Sequence, residues 1–350
     1  MNQAADPATA YAMVEPLPLS PPQFGCPIPV APGVHWLRTP MPFALDHINL
    51  WLLEDGCDFT LVDTGLASEP TMAIWSELIS KWGGERTLRQ LICTHFHPDH
   101  AGLAGWLVER LGPRFHMSRE EWLTANLHRL DVGDEAYRGA ERFYHCVGIP
   151  AERRPEITSA FFGYAERVRS LPRSFQRIRD GDRIEINGEP WEAIVTLGHA
   201  PEHVCLFNPR HKILISGDQV LPKITTNVSV GPWEPRANPL GMFLDALDSL
   251  RRLPADVTVL PSHGMPFKGL HARIDQLQAH HDERLSSLRD GLVQPTTVLA
   301  SLPLLFKRQF APHDERFALG EALAHLNLLL ARGQAVREES DDGVWRYRRV

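Results

Sequence analysis

Three imidazoles and a carboxylate fall within six positions of the segment Thr94-His95-Phe96-His97-Pro98-Asp99-His100-Ala101-Gly102, directly after the apolar run Leu91-Ile92-Cys93. Nitrogen and oxygen donors at that density suit zinc or another borderline first-row metal. A strand that ends in such a cluster holds its donors at the rim of a sheet, where a substrate can reach them. Single donors recur after similar runs: His199 after Ile194-Val195-Thr196-Leu197-Gly198, Asp218 after Ile213-Leu214-Ile215-Ser216-Gly217, and His263 after Val257-Thr258-Val259-Leu260-Pro261-Ser262. Each run reads as a buried strand delivering one ligand at its tip. A lone buried histidine is usually a satisfied core residue, but three such repeats added to the first cluster are not coincidence.

The elements that must position these donors are short strands and helices. Phe59 to Val62 reads as a strand, Thr71 to Trp82 as an amphipathic helix stopped by Gly83-Gly84, and Ala101 to Leu111 as a helix opening right after the ligand loop. Residues 182–217 hold four strands, Arg183 to Ile186, Trp191 to Thr196, Val204 to Phe207 and Lys212 to Ile215. Leu240 to Leu253 is then helical and Asp256 to Leu260 a strand. Residues 117–180 break the alternation with helices over Glu120 to Leu130, Glu135 to Val147 and Ile157 to Ser170. Their aromatics, among them Trp122, Phe143, Phe161 and Tyr164, would mostly pack the helices, and any that face the site would suit an apolar acyl or aryl group. Residues 1–30 are rich in proline and read as an arm that forms neither helix nor sheet.

The string His95-x-His97-x-Asp99-His100, with the upstream Asp63-Thr64-Gly65, resembles the signature of the metallo-β-lactamase superfamily, and the resemblance spans roughly residues 30 to 290. It implies a four-layer αββα sandwich over 31–270, with 117–180 as a helical insertion. It also implies that His95, His97 and His199 hold one metal, that Asp99, His100 and His263 hold a second, and that Asp218 bridges both. Asp63 would orient a ligating imidazole through its outer nitrogen. Asp218 stands where the antibiotic-hydrolysing members carry cysteine, so penicillin hydrolysis is not expected. The implied cofactor is two zinc ions per chain, with manganese or iron as alternatives, and the implied nucleophile is a hydroxide shared between them, oriented by Asp99. No Gly-x-Ser-x-Gly elbow and no phosphate-binding glycine loop offers another chemistry. In Gly198-His199-Ala200-Pro201-Glu202-His203, Ala200 replaces the family's usual hydroxyl residue. His203 is a candidate catalytic residue, for an oxyanion or substrate, with a loop-tethering histidine as its alternative.

Residues 271–350 read as a helix from His271 to Gly291, helices over Thr296 to Gln309 and Asp314 to Ala331, and a hairpin of Ala335 to Glu339 with Val344 to Val350. That order resembles the small winged-helix domain of the β-lactamase-like protein 2 branch, which contains both thioesterases and an RNA-cleaving member. The polar flank of the pair His280-His281 marks it as structural. Lys and Arg number eleven in this part and Asp and Glu eleven, so there is no basic stripe for nucleic acid. The balance favours a packing or dimerising role. The expected activity is therefore hydrolysis of an ester or thioester, such as an acyl-coenzyme A or carrier-bound acyl group, with a metal-dependent endoribonuclease acting on single-stranded RNA as the alternative.

Composition is consistent with that expectation. The 350 residues carry a formal net charge of −7 and 43% hydrophobic residues, which gives no general attraction to nucleic acid or anionic membranes. Five cysteines, at positions 26, 57, 93, 146 and 205, form no CxxC pair and read as reduced thiols in the cytoplasm. No membrane partner or signal peptide is expected.

Overall fold

The computed structural model describes residues 13–307, 310 and 312–350. Two seven-stranded sheets organise it. The first runs in the order Ile28–Ala31, Val34–Pro40, His47–Asp55, Asp58–Val62, Leu88–Ile92, Arg114–Ser118, Gln176–Ile178. Its early hairpins are antiparallel, and from Asp58–Val62 onward the pairing is parallel. The second runs Glu15–Pro16, Phe267–Lys268, Thr258–Pro261, Ile213–Gly217, His203–Asn208, Glu189–Thr196, Arg183–Ile186, with one parallel pair, Ile213–Gly217 beside Thr258–Pro261.

Three apolar cores separate four layers. Between the sheets, Trp36, Trp51, Leu53 and Val62 meet Trp191, Val204, Ile215 and Leu260. Outside the first sheet, Leu50 and Leu61 pack against the helices carrying Trp75 and Leu107. Outside the second, Leu214 and Val259 pack against Phe243, Ile274 and Leu323. Sheets buried on both faces explain the near-continuous apolar runs in the sequence. This is the expected αββα sandwich.

Local departures have local causes. The helix expected over Ala101 to Leu111 is two helices, Pro98–Ala101 and Ala104–Leu111. At the break, the backbone N–H of Leu103 donates to Thr64 Oγ1, and the carbonyl of Gly102 accepts from Arg169 N. Such distant partners draw backbone groups away from the helical ladder. The helix expected over Ile157 to Ser170 is likewise split into Arg154–Phe161 and Tyr164–Arg167.

The proline-rich arm corrects an expectation too. Residues 1–12 of it lie outside the described residues, but Ile28–Ala31 and Glu15–Pro16 each add an edge strand. Proline is tolerated at an edge because one side of the strand needs no donors.

The C-terminal part comprises Leu270–Gly291, Val298–Leu305 and Pro312–Ala331, followed by the hairpin Ala335–Glu339 with Trp345–Arg349. The helix expected over Thr296 to Gln309 ends at Leu305, where Phe306 turns to an extended backbone; residues 308 and 309 lie outside the described residues. Helix Pro312–Ala331 packs against Pro239–Leu250, Arg154–Phe161 and Leu270–Gly291. His281 is fully buried there, its Nδ1 3.2 Å from His325 Nε2. Among the described residues, no helix is long and apolar enough to cross a membrane.

Candidate metal centre

The donors singled out in the sequence follow strand ends, with Asp99 and His100 carried on the short helix Pro98–Ala101 after the first loop. Leu88–Ile92 of the first sheet leads into His95, while Glu189–Thr196, Ile213–Gly217 and Thr258–Pro261 of the second lead into His199, Asp218 and His263. The strands are locked by the cores, so the loops at their tips inherit fixed positions. Two glycines let those loops approach. At Gly217 (φ +52°), a Cβ would lie 2.3 Å from His203 Nε2, and at Gly198 (φ +104°) it would lie 2.5 Å from the carbonyl oxygen of Pro239.

The donors converge in two groups. His95, His97, His199 and Asp218 each offer an atom within 4.8 Å of the others, and so do Asp99, His100 and His263. His95 Nε2 stands 2.9 Å from His97 Nδ1 and 3.1 Å from His199 Nε2. In the second group, His263 Nε2 is 3.3 Å from both Asp99 Oδ2 and Asp218 Oδ1. His100 Nε2 is 3.5 Å from Asp99 Oδ2 and 3.6 Å from Asp218 Oδ2. Asp218 therefore reaches both groups.

Outer nitrogens are anchored to oxygen. His100 Nδ1 donates to Asp63 Oδ2 (2.8 Å), His199 Nδ1 to the carbonyl of Asn227 (2.7 Å), and His263 Nδ1 to the carbonyl of His47 (2.9 Å). Such bonds fix the tautomer and leave the inner nitrogen as a lone-pair donor. Asp63, at φ +63°, is a non-glycine residue in the left-handed region. Its Oδ1 also accepts from Thr94 N at 2.8 Å, tying the strand end to the ligand loop.

The charges ask for a cation. Asp63, Asp99 and Asp218 are packed among buried rings, and unpaired buried carboxylates are costly. Burial pulls His263 down, yet Asp218 and Asp99 raise it to about 10. His100 is likewise raised by Asp99, Asp63 and Asp218 against its burial. On the other side, burial and the neighbouring rings hold His95 well below the ordinary imidazole value. His100 Nε2 and Asp218 Oδ1 are buried without a hydrogen-bond partner. Divalent cations fit this set: borderline nitrogen donors, carboxylates, and inward atoms left without hydrogen bonds.

His203 stands apart. It is fully buried; its Nε2 accepts from the backbone N–H of Asp218 (3.1 Å), and its Nδ1 lies 3.0 Å from Thr196 Oγ1. Both nitrogens are used inside the protein, so neither is left to face a substrate.

Three supporting residues carry no sequence signal. Glu121, on helix Arg119–Leu130, accepts from the N–H of Phe96 (2.8 Å) between two candidate donors of the first loop. It also accepts from the N–H of Glu202 (2.6 Å) in the loop after His199. Burial pushes it up to about 8 although both N–H bonds pull it down. Asn49 donates to the carbonyls of Pro261 (2.8 Å) and Gly264 (2.9 Å), and His47 Nε2 accepts from Gly264 N. Together they clamp the His263 loop from the opposite sheet.

Comparison with known proteins gives the same picture. Residues 44–263 match the family model of the metallo-beta-lactamase superfamily, and residues 285–350 match the C-terminal domain of metallo-beta-lactamase-like proteins. The fold is similar to that of a beta-lactamase domain protein from Burkholderia ambifaria, with a TM-score of 0.88 and 40% identity, covering 96% of this chain and 98% of that one. A probable metallo-hydrolase of Bacillus subtilis (strain 168), YqjP, is 27% identical over 88% of this chain and 94% of its own length. An atrochrysone carboxyl ACP thioesterase of Aspergillus fumigatus is 22% identical over 68% of this chain and 57% of its own length. Signature, sandwich and family model coincide on the same residues, and the chain belongs to the metallo-beta-lactamase superfamily of metallo-hydrolases.

Proposed function

We propose that this protein is a dinuclear metal hydrolase that cleaves a carboxylic ester or thioester, of the acyl-coenzyme A or carrier-bound acyl type. One observation carries the reading: seven donors form two adjacent groups joined by Asp218, with His100 Nε2 and Asp218 Oδ1 buried without a hydrogen bond. His95, His97 and His199 would hold one ion, Asp99, His100 and His263 the other, and Asp218 both. The donor set suits zinc, with manganese or iron as alternatives. Bound ions would supply Lewis acidity toward a carbonyl oxygen and toward water.

The chain's own residues do the rest. Asp99 keeps 18% of its side-chain surface exposed, the most accessible of the cluster's carboxylates. From there it would orient the attacking water. His203 holds the Asp218 backbone in place and acts through it rather than on the substrate.

An acyl substrate is supported by the rings beside the site. Phe96 lies 4.5 Å from the ring of His97, and His128 lies 5.0 Å from Phe96. The similarity to the Aspergillus thioesterase points the same way. An RNA substrate has less support. Residues 318–329 of the C-terminal helix are buried on nearly every side, so that helix packs the domain instead of offering a face to a groove. The five free cysteines support a reducing, cytoplasmic setting.

Purified protein loaded with zinc or manganese should hold close to two ions per chain and hydrolyse acyl-coenzyme A thioesters or aryl esters, while Asp99→Ala does not. Asp99-dependent cleavage of a fluorogenic single-stranded RNA, with no ester turnover, would overturn the reading.

A further inference from the structure

A cavity of about 570 Å³ lies between the helical insertion, the loop at Pro232-Trp233 and the C-terminal hairpin. Its volume is that of a small-molecule site, far above a packing void. The rings of Phe143, Phe161, Phe162, Trp233 and Trp345 line it together with the charged Asp131, Glu135 and Arg142, and Gly139 stands in one wall. None of the seven candidate metal donors belongs to the lining. A series of ring contacts nevertheless runs from the cavity wall to the cluster. Phe161 lies 4.7 Å from Trp233, Trp233 4.2 Å from His128, His128 5.0 Å from Phe96, and Phe96 4.5 Å from His97.

Such an arrangement would distinguish acyl groups by length. A short acyl group held at the cluster would end among Phe96 and His128 and leave the cavity unused. An extended apolar chain would run along the rings and place its far end among the phenylalanines and tryptophans. We propose that the cavity is the binding site for the distal part of a long apolar acyl chain whose ester or thioester carbonyl sits at the cluster. This rests on the hydrolase reading. It also gives the C-terminal hairpin a part in the site, because Trp345 is one of the walls.

Gly139 supplies a clean test. It lies inside helix Asp134–Cys146, and a Cβ built there meets nothing within 4 Å. Gly139→Phe should therefore fold, which a thermal melt checks, and fill the cavity. Trp233→Ala removes a wall instead. The metal-loaded protein would be assayed on thioesters from acetyl to dodecanoyl, and binding of dodecanoate and acetate would be followed by calorimetry.

In the wild type, kcat/KM should rise at least tenfold along the series, and dodecanoate should bind much more tightly than acetate. Both variants should lower the dodecanoyl-to-acetyl ratio at least tenfold, with a matching loss of dodecanoate affinity. A flat series in the wild type, or a ratio unchanged in Gly139→Phe, would overturn the proposal while leaving the hydrolase reading intact. Absence of all thioester turnover would instead sink the hydrolase reading. Dodecanoate binding blocked by Gly139→Phe would then still support the cavity as an acyl site, and absence of that binding would refute it.

Discussion

His203 bonds to the backbone of the site rather than standing open beside it. Its Nε2 accepts the backbone N–H of Asp218, and Gly217 allows the approach because any side chain there would strike the ring. His203→Ala strands a buried N–H, at a cost of about 1–3 kcal/mol, and frees the one carboxylate shared by both donor groups. Metal affinity should fall by tenfold or more, as when other supporting partners of ligands are lost. His203→Gln, whose amide oxygen can accept the same N–H, should recover part of it. Titration against a chromogenic chelator reads the difference. Unchanged metal affinity with lost turnover would instead return His203 to a direct role on substrate.

Among the elements, helix Arg119–Leu130 has a job beyond packing. It carries Glu121 to a point where its two carboxylate oxygens hold two ligand loops, and Ser118 just before it donates to the carbonyl of Glu202 at 2.8 Å. Glu121→Ala leaves two buried N–H groups without acceptors, which costs about 3 kcal/mol on the usual scale for such losses. Glu121→Gln keeps only one acceptor, because its NH2 cannot receive an N–H. Thermal melts should rank wild type above Gln and Gln above Ala, and metal content should follow the same order. A Gln variant as stable as wild type would mean that only one of the two bonds matters. The insertion is therefore part of the site's frame, a role that its amphipathic pattern does not reveal.

The whole molecule depends on how its C-terminal part is seated. His325 Nδ1 donates to the carbonyl of Glu321 at 2.8 Å, so its Nε2 accepts from His281, and both rings are held neutral. Burial lowers His281 to about 3 and His325 to about 4, with His280 and Arg284 adding to the effect. Unfolded histidines titrate near pH 6.5. Between that value and the folded values the unfolded chain binds more protons, so stability is full above about pH 6.5 and declines as pH falls toward 4. At pH 5 the loss is on the order of 2 kcal/mol for each ring. Urea unfolding at pH 7 and pH 5 should show it, and His281→Leu should flatten the difference relative to wild type. An equal pH dependence in that variant would place the acid-labile groups elsewhere.

The candidate metal donors were legible in the chain because a rigid sheet imposes a simple grammar: an apolar run, a small residue, a donor. His95 through His100 need only local spacing, and strand alternation with helix stops placed most elements within a few residues. What sequence could not show depends on distance. Glu121 meets Phe96 and Glu202 across 25 and 81 residues, and His263 bonds to the carbonyl of His47 across 216. These partners are mostly backbone groups, which carry no residue identity for a pattern to register. The split helix at Gly102, the edge strands of the proline-rich arm and the engagement of both His203 nitrogens have the same origin. The sequence by itself determined which atoms could bind metal and which strands would carry them. Only the tertiary structure decided which backbone amides hold those atoms still, because packing two sheets face to face is what brings the distant loops together.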